Sequence, residues 1–200
     1  ENFALRAELA RIKEEHSDSL DLLNSGKLIG DFRYTPATIA KISNNTLHNY
    51  IIISKGSDDG ITQGSGVITG KGAIGVIDAV SRNYSYARSF KNHEMSVSAR
   101  LGKEGAVGPM TWDGRSSSGA ILKEIPHHVI FEPGDTVYTS GYSSIFPPDI
   151  PLGTTGESRI VNGATYEIEV TLFEDFGALR YVTVVENLGK EEINLLEEEQ

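Results

Sequence analysis

The chain has 200 residues, 28 acidic against 18 basic, a formal net charge of -10 and no cysteine. Disulfides, Cys-ligated zinc and thiol catalysis are therefore excluded, and the negative field repels phosphate backbones and anionic headgroups, which argues against a nucleic-acid partner. The length suits one large β-domain or two small ones, either burying roughly two-thirds of the unfolded surface.

Residues 1–25 are rich in Ala, Leu, Glu, Arg and Lys and contain neither Gly nor Pro, so they predict a helix that Gly26 stops. Leu5, Leu9, Ile12, His16, Ser19 and Leu23 alternate steps of four and three, the spacing of a coiled-coil seam through which two copies would pair. His16 and Ser19 make part of that seam polar, and an amphipathic helix packed on its own domain is the alternative. No apolar run approaches the ~18 residues that span a bilayer. The chain opens on Glu1 inside a helical pattern, so upstream residues, a membrane anchor among them, are expected to have been removed.

From Ile29 the character changes to short β-rich runs: Ala37 to Ile42, Tyr50 to Ser54, Gly66 to Thr69, Ala73 to Val80 and Tyr86 to Phe90. A second set covers Ser96 to Leu101, Gly105 to Thr111, Gly119 to Glu124, Thr136 to Thr139, Thr154 to Val161, Glu167 to Leu172 and Tyr181 to Val185. Lys55-Gly-Ser-Asp-Asp-Gly60 is a turn signature in which Gly56 and Gly60 are free to take positive φ. Trp112 to Gly119 is a polar hairpin tip with Trp112 as a packed anchor at its base. Gly134-Asp135 turns into a strand that Gly141 ends, and Pro147, Pro148 and Pro151 hold the following segment extended. The expected fold is mainly β, with two small barrels or sandwiches after an N-terminal helix. The expected organisation is a coiled-coil helix over 1–27, a first β-domain over 28–92, a second over 93–187 and a solvated acidic tail over 188–200. The last strand, 180–186, either closes the second barrel or returns to complete the first.

The chain carries no sequence signature of catalysis. Ser65 lies in Gly-Ser-Gly and Ser140 in Thr-Ser-Gly, neither in the Gly-Asp-Ser-Gly context of chymotrypsin-like hydrolases, whose paired barrels this pattern otherwise allows. His127-His128 would point to opposite faces of an extended chain, and His48 and His93 stand far apart, so no metal site is expected. Glu174-Asp175 reads as a turn beside Phe176-Gly177 and not as a glycosidase pair. Gly70-Lys-Gly-Ala-Ile-Gly75 precedes a strand, not the helix of a phosphate loop. No catalytic residue and no cofactor are assigned.

Two spaced motifs carry a resemblance. Asn49-Tyr-Ile-Ile-Ile-Ser-Lys-Gly-Ser-Asp-Asp-Gly-Ile61 is followed by Gly66-Val-Ile-Thr69 and Gly72-Ala-Ile-Gly-Val-Ile77; Gly134-Asp-Thr-Val-Tyr-Thr-Ser-Gly141 is followed by Phe146-Pro147 and Ile150-Pro-Leu-Gly153. In this order after a heptad helix they resemble the extracytoplasmic part of the MreC rod shape-determining family, over residues 36–185. On that resemblance Lys55, Gly56, Asp59, Gly60, Gly75, Gly134, Asp135, Thr139, Ser140, Gly141, Phe146, Pro147 and Gly153 are structural motif positions. Pro148-Asp149 departs from the family, replacing the glycine-rich pair that commonly follows Phe-Pro. The resemblance implies a single-pass anchor, two small barrels outside the cytoplasmic membrane and a homodimer. It further implies a scaffold for the lateral-wall elongation machinery, with the elongation penicillin-binding transpeptidase, MreD and MreB as partners. A membrane-fusion adaptor of an efflux system is the alternative, although it would need a helical hairpin between two lipoyl half-motifs.

Overall fold

Among the described residues, thirteen short, glycine-punctuated strands are arranged by antiparallel pairing into two closed sheets. The computed structural model describes residues 28–29, 31–102 and 105–198, so the expected coiled-coil helix with Leu5, Leu9, Ile12, His16 and Leu23 lies outside the described residues. The first sheet contains β1 (Leu28–Ile29), β2 (Phe32–Ile42), β3 (His48–Ile53), β4 (Gly66–Thr69), β5 (Gly72–Val80) and β6 (Ser85–Asn92). The second contains β7 (Ser96–Leu101), β8 (Val107–Trp112), β9 (Gly119–Pro126), β10 (Thr136–Thr139), β11 (Pro151–Val161) and β12 (Thr165–Leu172). The final strand, β13 (Tyr181–Asn187), leaves the second sheet and returns to the first.

That return closes the first barrel. β13 pairs with β2 from Tyr181↔Thr38 to Asn187↔Phe32 and on its other edge with β4 through Val184↔Val67, while β2 also reaches β3 through Ile39↔Ile53. The ring β2-β13-β4-β5-β6-β3 therefore leaves only β1 as a flap, and the second ring runs β10-β11-β12-β9-β8-β7 and closes through Val137↔Leu101. Closure removes the unpaired edges that short strands would otherwise expose. β2 begins five residues before the run expected from sequence. Pro36 obscured it, because proline disfavours a strand interior; here Pro36 pairs with Thr183 and falls in the gap between the β1 and β3 pairings, where no partner needs its missing N–H.

The two interiors run together into one apolar core. From the first barrel come Ile51, Ile53, Val67, Ile74, Ile77 and Val184, all fully buried; from the second come Val97, Met110, Leu122, Ile125, Val137 and Ile168. Between them stand three phenylalanines. Phe146, in the β10–β11 connection, is 3% exposed and seats against Gly66 of β4, which Val185 of β13 also faces. Phe176, in the β12–β13 connection, is 1% exposed and lies 6.5 Å from the ring of Phe90 in β6, and its carbonyl accepts a 2.7 Å hydrogen bond from Asn44 Nδ2. Around this wedge Thr69 Oγ1 donates to Glu174 Oε2, and Lys91 Nζ sits 5.5 Å over the ring of Trp112.

The segment expected to be a solvated tail forms a helix, α1 (Lys190–Glu198), with Glu191 and Glu192 in its first turn. Carboxylates are favourable there because they face the positive end of the helix dipole. Lys190 Nζ donates to the Gly64 carbonyl at 2.7 Å, tying the helix start to the first barrel, and partial burial lowers its ammonium below the usual value. Among the described residues no helix is long and apolar enough to cross a membrane.

The Phe146 wedge is open to test. A Cβ on Gly66 would lie 2.8 Å from Phe146 Cε1 and 2.9 Å from Val185 Cγ1. Urea denaturation is expected to show Phe146→Ala losing about 3–5 kcal/mol and Gly66→Ala about 1–3 kcal/mol. Adding Phe146→Leu to Gly66→Ala should recover part of that loss, whereas strictly additive losses would mean that the two sites do not touch.

Candidate interaction surface

The first glycine motif folds into a clamp between strands. After β3 the chain makes a single 3-10 turn, Ser57–Asp59, ended by Gly60 at φ 79. Asp59 Oδ1 accepts from Lys55 Nζ at 2.6 Å and its Oδ2 from the Gly56 N–H at 3.2 Å. The Lys55 hydrogen bond, followed by the Gly56 backbone N–H, holds the Asp59 carboxyl below its ordinary value. The Ser57 and Asp58 N–H groups bond the carbonyls of Ser81 and Arg82 in the β5–β6 hairpin at 2.9 and 3.1 Å. Gly56 corrects the sequence expectation. Its φ is -139, an extended value open to any residue. Glycine is required there by proximity, because a Cβ would stand 2.3 Å from the Ser81 oxygen. Gly75 is confined in the same way by the Arg88 oxygen of β6, and Gly153 by the Thr171 oxygen of β12, each 2.3 Å from a built Cβ.

The second motif forms the strap that carries Phe146. Thr139 Oγ1 donates to the Pro147 carbonyl at 2.7 Å and accepts from the Ile150 N–H at 2.9 Å, pinning both arms of the strap to β10. Asp135 Oδ2 accepts from the Glu132 N–H at 2.9 Å, and the Gly134 N–H donates to the Thr155 carbonyl at 2.8 Å, fixing the turn into β10. Gly141 has φ 78 and Asp149 has φ 69. Asp149 therefore holds a left-handed backbone without being glycine, and Arg100 pairs with its carboxylate.

The chemical candidates remain dispersed. Ser140 is buried, with its hydroxyl 2.7 Å from Ser98 Oγ and accepting from the Tyr142 N–H at 3.0 Å; Ser65 is buried with its hydroxyl 3.0 Å from Thr62 Oγ1. Among the described residues, neither hydroxyl is hydrogen-bonded to a histidine. Glu174 engages Thr69 while Asp175 Oδ1 accepts from the Gly177 N–H at 2.8 Å, so the two carboxyls serve separate turns. His127 and His128 are exposed and roughly perpendicular, with ring centres 6.2 Å apart. The structure does bring together one set that sequence spacing kept apart: His48, His93 and Glu94 converge at the end of the first barrel.

The outer surface of the second barrel carries two clefts. Register breaks interrupt β11 between Thr155 and Ser158 and β12 between Tyr166 and Ile168, the kind of bulge that bends a strand locally. Two clefts of about 590 and 530 Å³ meet at Gly156, Glu157 and Ser158. One is polar, with Asp113, Glu157 and Glu169 near the Arg159–Glu167 pair at 2.5 Å. The other has an apolar ledge of Ile130, 94% exposed, beside Phe131 stacked edge-on to Tyr166 at 5.6 Å. That cleft is of mixed character, with His127, His128, Glu157 and Ser158 lining it beside the apolar side chains.

Residues 39–186 match the family profile of the rod shape-determining protein MreC, barrel core. The chain belongs to the MreC family. It is 30% identical over 155 residues to the cell shape-determining protein MreC of Listeria monocytogenes, covering 75% of this chain and 52% of that protein. To MreC of Cereibacter sphaeroides it is 25% identical over 203 residues, covering 97% of the chain and 65% of that protein. The chain thus spans between about half and two-thirds of the length of these MreC relatives. Among solved structures, MreC of Listeria monocytogenes superposes with TM-score 0.72 at 27% identity, covering 92% of this chain and 90% of that one. The MreC chain of a complex with the penicillin-binding protein PBP2 from Helicobacter pylori has the same fold at TM-score 0.64 and 16% identity, covering 78% of this chain and 98% of that one. MreC proteins are structural shape-determining proteins.

Two outcomes follow. Asp149→Ala should lose about 1–2 kcal/mol in thermal or urea unfolding, with Asp149→Gly losing less because glycine accepts the left-handed backbone. Equal losses would assign the effect to the Arg100 pair alone. Since the folded-state value of Asp59 is depressed, its contribution is fully present above about pH 4, the ordinary carboxylate value, and fades as pH falls through the lowered value. The stability gap between the parent and Asp59→Asn should therefore close on acidification; a gap that is constant down to acid pH would contradict this.

Proposed function

We propose that the chain is a non-enzymatic, extracytoplasmic scaffold that organises peptidoglycan elongation by binding a penicillin-binding transpeptidase. Membership of the MreC family over residues 39–186 carries this reading, and the fold shared with the MreC of the Helicobacter pylori PBP2 complex supports it. In this reading the apolar ledge of Ile130 and Phe131 contacts the transpeptidase, and the acidic cleft beside it sets orientation. MreD and MreB join as partners on family grounds, with a single-pass anchor upstream on the cytoplasmic membrane. Two copies pair through Leu5, Leu9, Ile12, His16 and Leu23. A helix of about 23 residues is about 35 Å long, a usable spacer between membrane and barrels.

The efflux-adaptor and hydrolase readings gain nothing from the geometry. The return of β13 to the first barrel is unlike two lipoyl half-motifs flanking a hairpin, and both candidate serines bond other hydroxyls in place of a base.

Interferometry of the chain against the extracytoplasmic part of the elongation transpeptidase of the same organism is expected to show saturable binding. Ile130→Asp should weaken it about tenfold, roughly 1.4 kcal/mol. Unaltered affinity would remove the ledge from the contact, and no saturation at tens of micromolar would overturn the partner. Separately, Leu9→Asp with Ile12→Asp should convert dimers to monomers in light scattering; an unchanged mass would dismiss the seam.

A further inference from the structure

His48 opens β3, whereas His93 and Glu94 lie in the short connection between β6 and β7, the first of the two chain crossings between the barrels. Register pairing of His48 with Asn92 places the three side chains side by side. One donor atom from each lies within 4.8 Å of the others, and the two imidazoles meet edge to face with centres 4.5 Å apart. All three side chains are exposed.

The backbone beneath them is fixed by two buried asparagines. Asn49 Nδ2 donates to the Lys91 carbonyl at 2.9 Å and Asn92 Nδ2 to the Asn49 carbonyl at 3.4 Å, while Asn92 Oδ1 accepts from the Glu94 N–H at 3.0 Å. The Leu47 carbonyl accepts from the His93 N–H at 3.0 Å and faces His93 Nδ1 at 3.1 Å. Opposite a carbonyl oxygen, Nδ1 carries the proton, which leaves the Nε2 lone pair free. That is the arrangement by which an outer hydrogen bond orients a metal-binding imidazole.

We propose that His48, His93 and Glu94 form a binding site for a divalent transition metal of the zinc class. Two imidazoles and one carboxylate suit zinc, cobalt, nickel or copper and do not suit calcium or magnesium, which prefer all-oxygen shells. Tetrahedral zinc with bonds of 2.0–2.2 Å needs donors about 3.3 Å apart, so the set closes by about 1.5 Å at most through rotation of exposed side chains. The fourth position remains open to water or to a donor from another molecule. Because His48 belongs to the first barrel and His93 and Glu94 to the crossing, a bound ion staples that crossing and stiffens the joint between the barrels.

The test is calorimetric titration of the tag-free chain with zinc chloride, paired with visible spectra of the cobalt(II) form. The expected result is saturable zinc binding in the micromolar range that raises Tm, and an intense tetrahedral cobalt band. His48→Ala and His93→Ala should each weaken binding at least about tenfold, Glu94→Gln less, and His127→Ala with His128→Ala not at all. All the variants are surface changes, and their Tm in EDTA should match that of the parent. A variant that is less stable in EDTA is replaced by His→Gln at the same position, which must also lose zinc. Absence of saturable binding, zinc affinity insensitive to His48 and His93, or a cobalt spectrum that stays that of the hydrated ion would each overturn the site.

Discussion

The packing of Phe146 against Gly66 is the contact on which the arrangement of the two barrels depends. A phenylalanine from the second barrel's strap fills space in the first barrel that exists only because β4 offers no side chain at that point. Phe176 performs the matching task from the β12–β13 crossing, against Phe90. Apolar area buried in this way removes the cost of leaving each barrel's open end wet, and jigsaw packing makes one relative orientation preferred over its neighbours. The pair is therefore expected to behave as one body, with a surface set by both barrels together.

The return of β13 reinforces that coupling through topology. The first barrel cannot close until the chain has passed through the whole second barrel, so residues 32–38 wait for residues 181–187. Such non-local pairing costs loop entropy and slows folding, yet it also means that the first barrel cannot be completed without both crossings, whereas the second closes on its own contiguous strands. For the proposed scaffold role, a fixed geometry between the two barrels matters more than the stability of either one. The His48, His93 and Glu94 cluster lies on one of the same crossings, where a bound ion would act on that geometry directly.

The family motifs acquire a physical meaning from these contacts. Gly56, Gly75 and Gly153 are places where a carbonyl of a neighbouring hairpin or strand presses on the glycine's backbone, while Thr139, Asp135 and Asp59 staple turns through their side chains. The residues most visible in the sequence thus build the frame. The features proposed for recognition, the Ile130 ledge and the bulged face of β11, arise from residues with no distinctive spacing.

What the sequence by itself determined was local. The strands Gly66–Thr69, Ser96–Leu101 and Thr136–Thr139 coincide with the expected runs, and the turns at Gly60, Gly134 and Gly141 take the positive φ that glycine permits. Alternation and turn chemistry act over a few neighbours, so they are legible in one dimension. Only the tertiary structure decided that β13 completes the first barrel, that β2 runs on through Pro36, that Gly56 answers to a close approach and not to positive φ, and that His48 meets His93. Each of these is a relation between distant segments. Pairing partners in a barrel are chosen by closure and shared burial over the whole chain, and no local period encodes that choice.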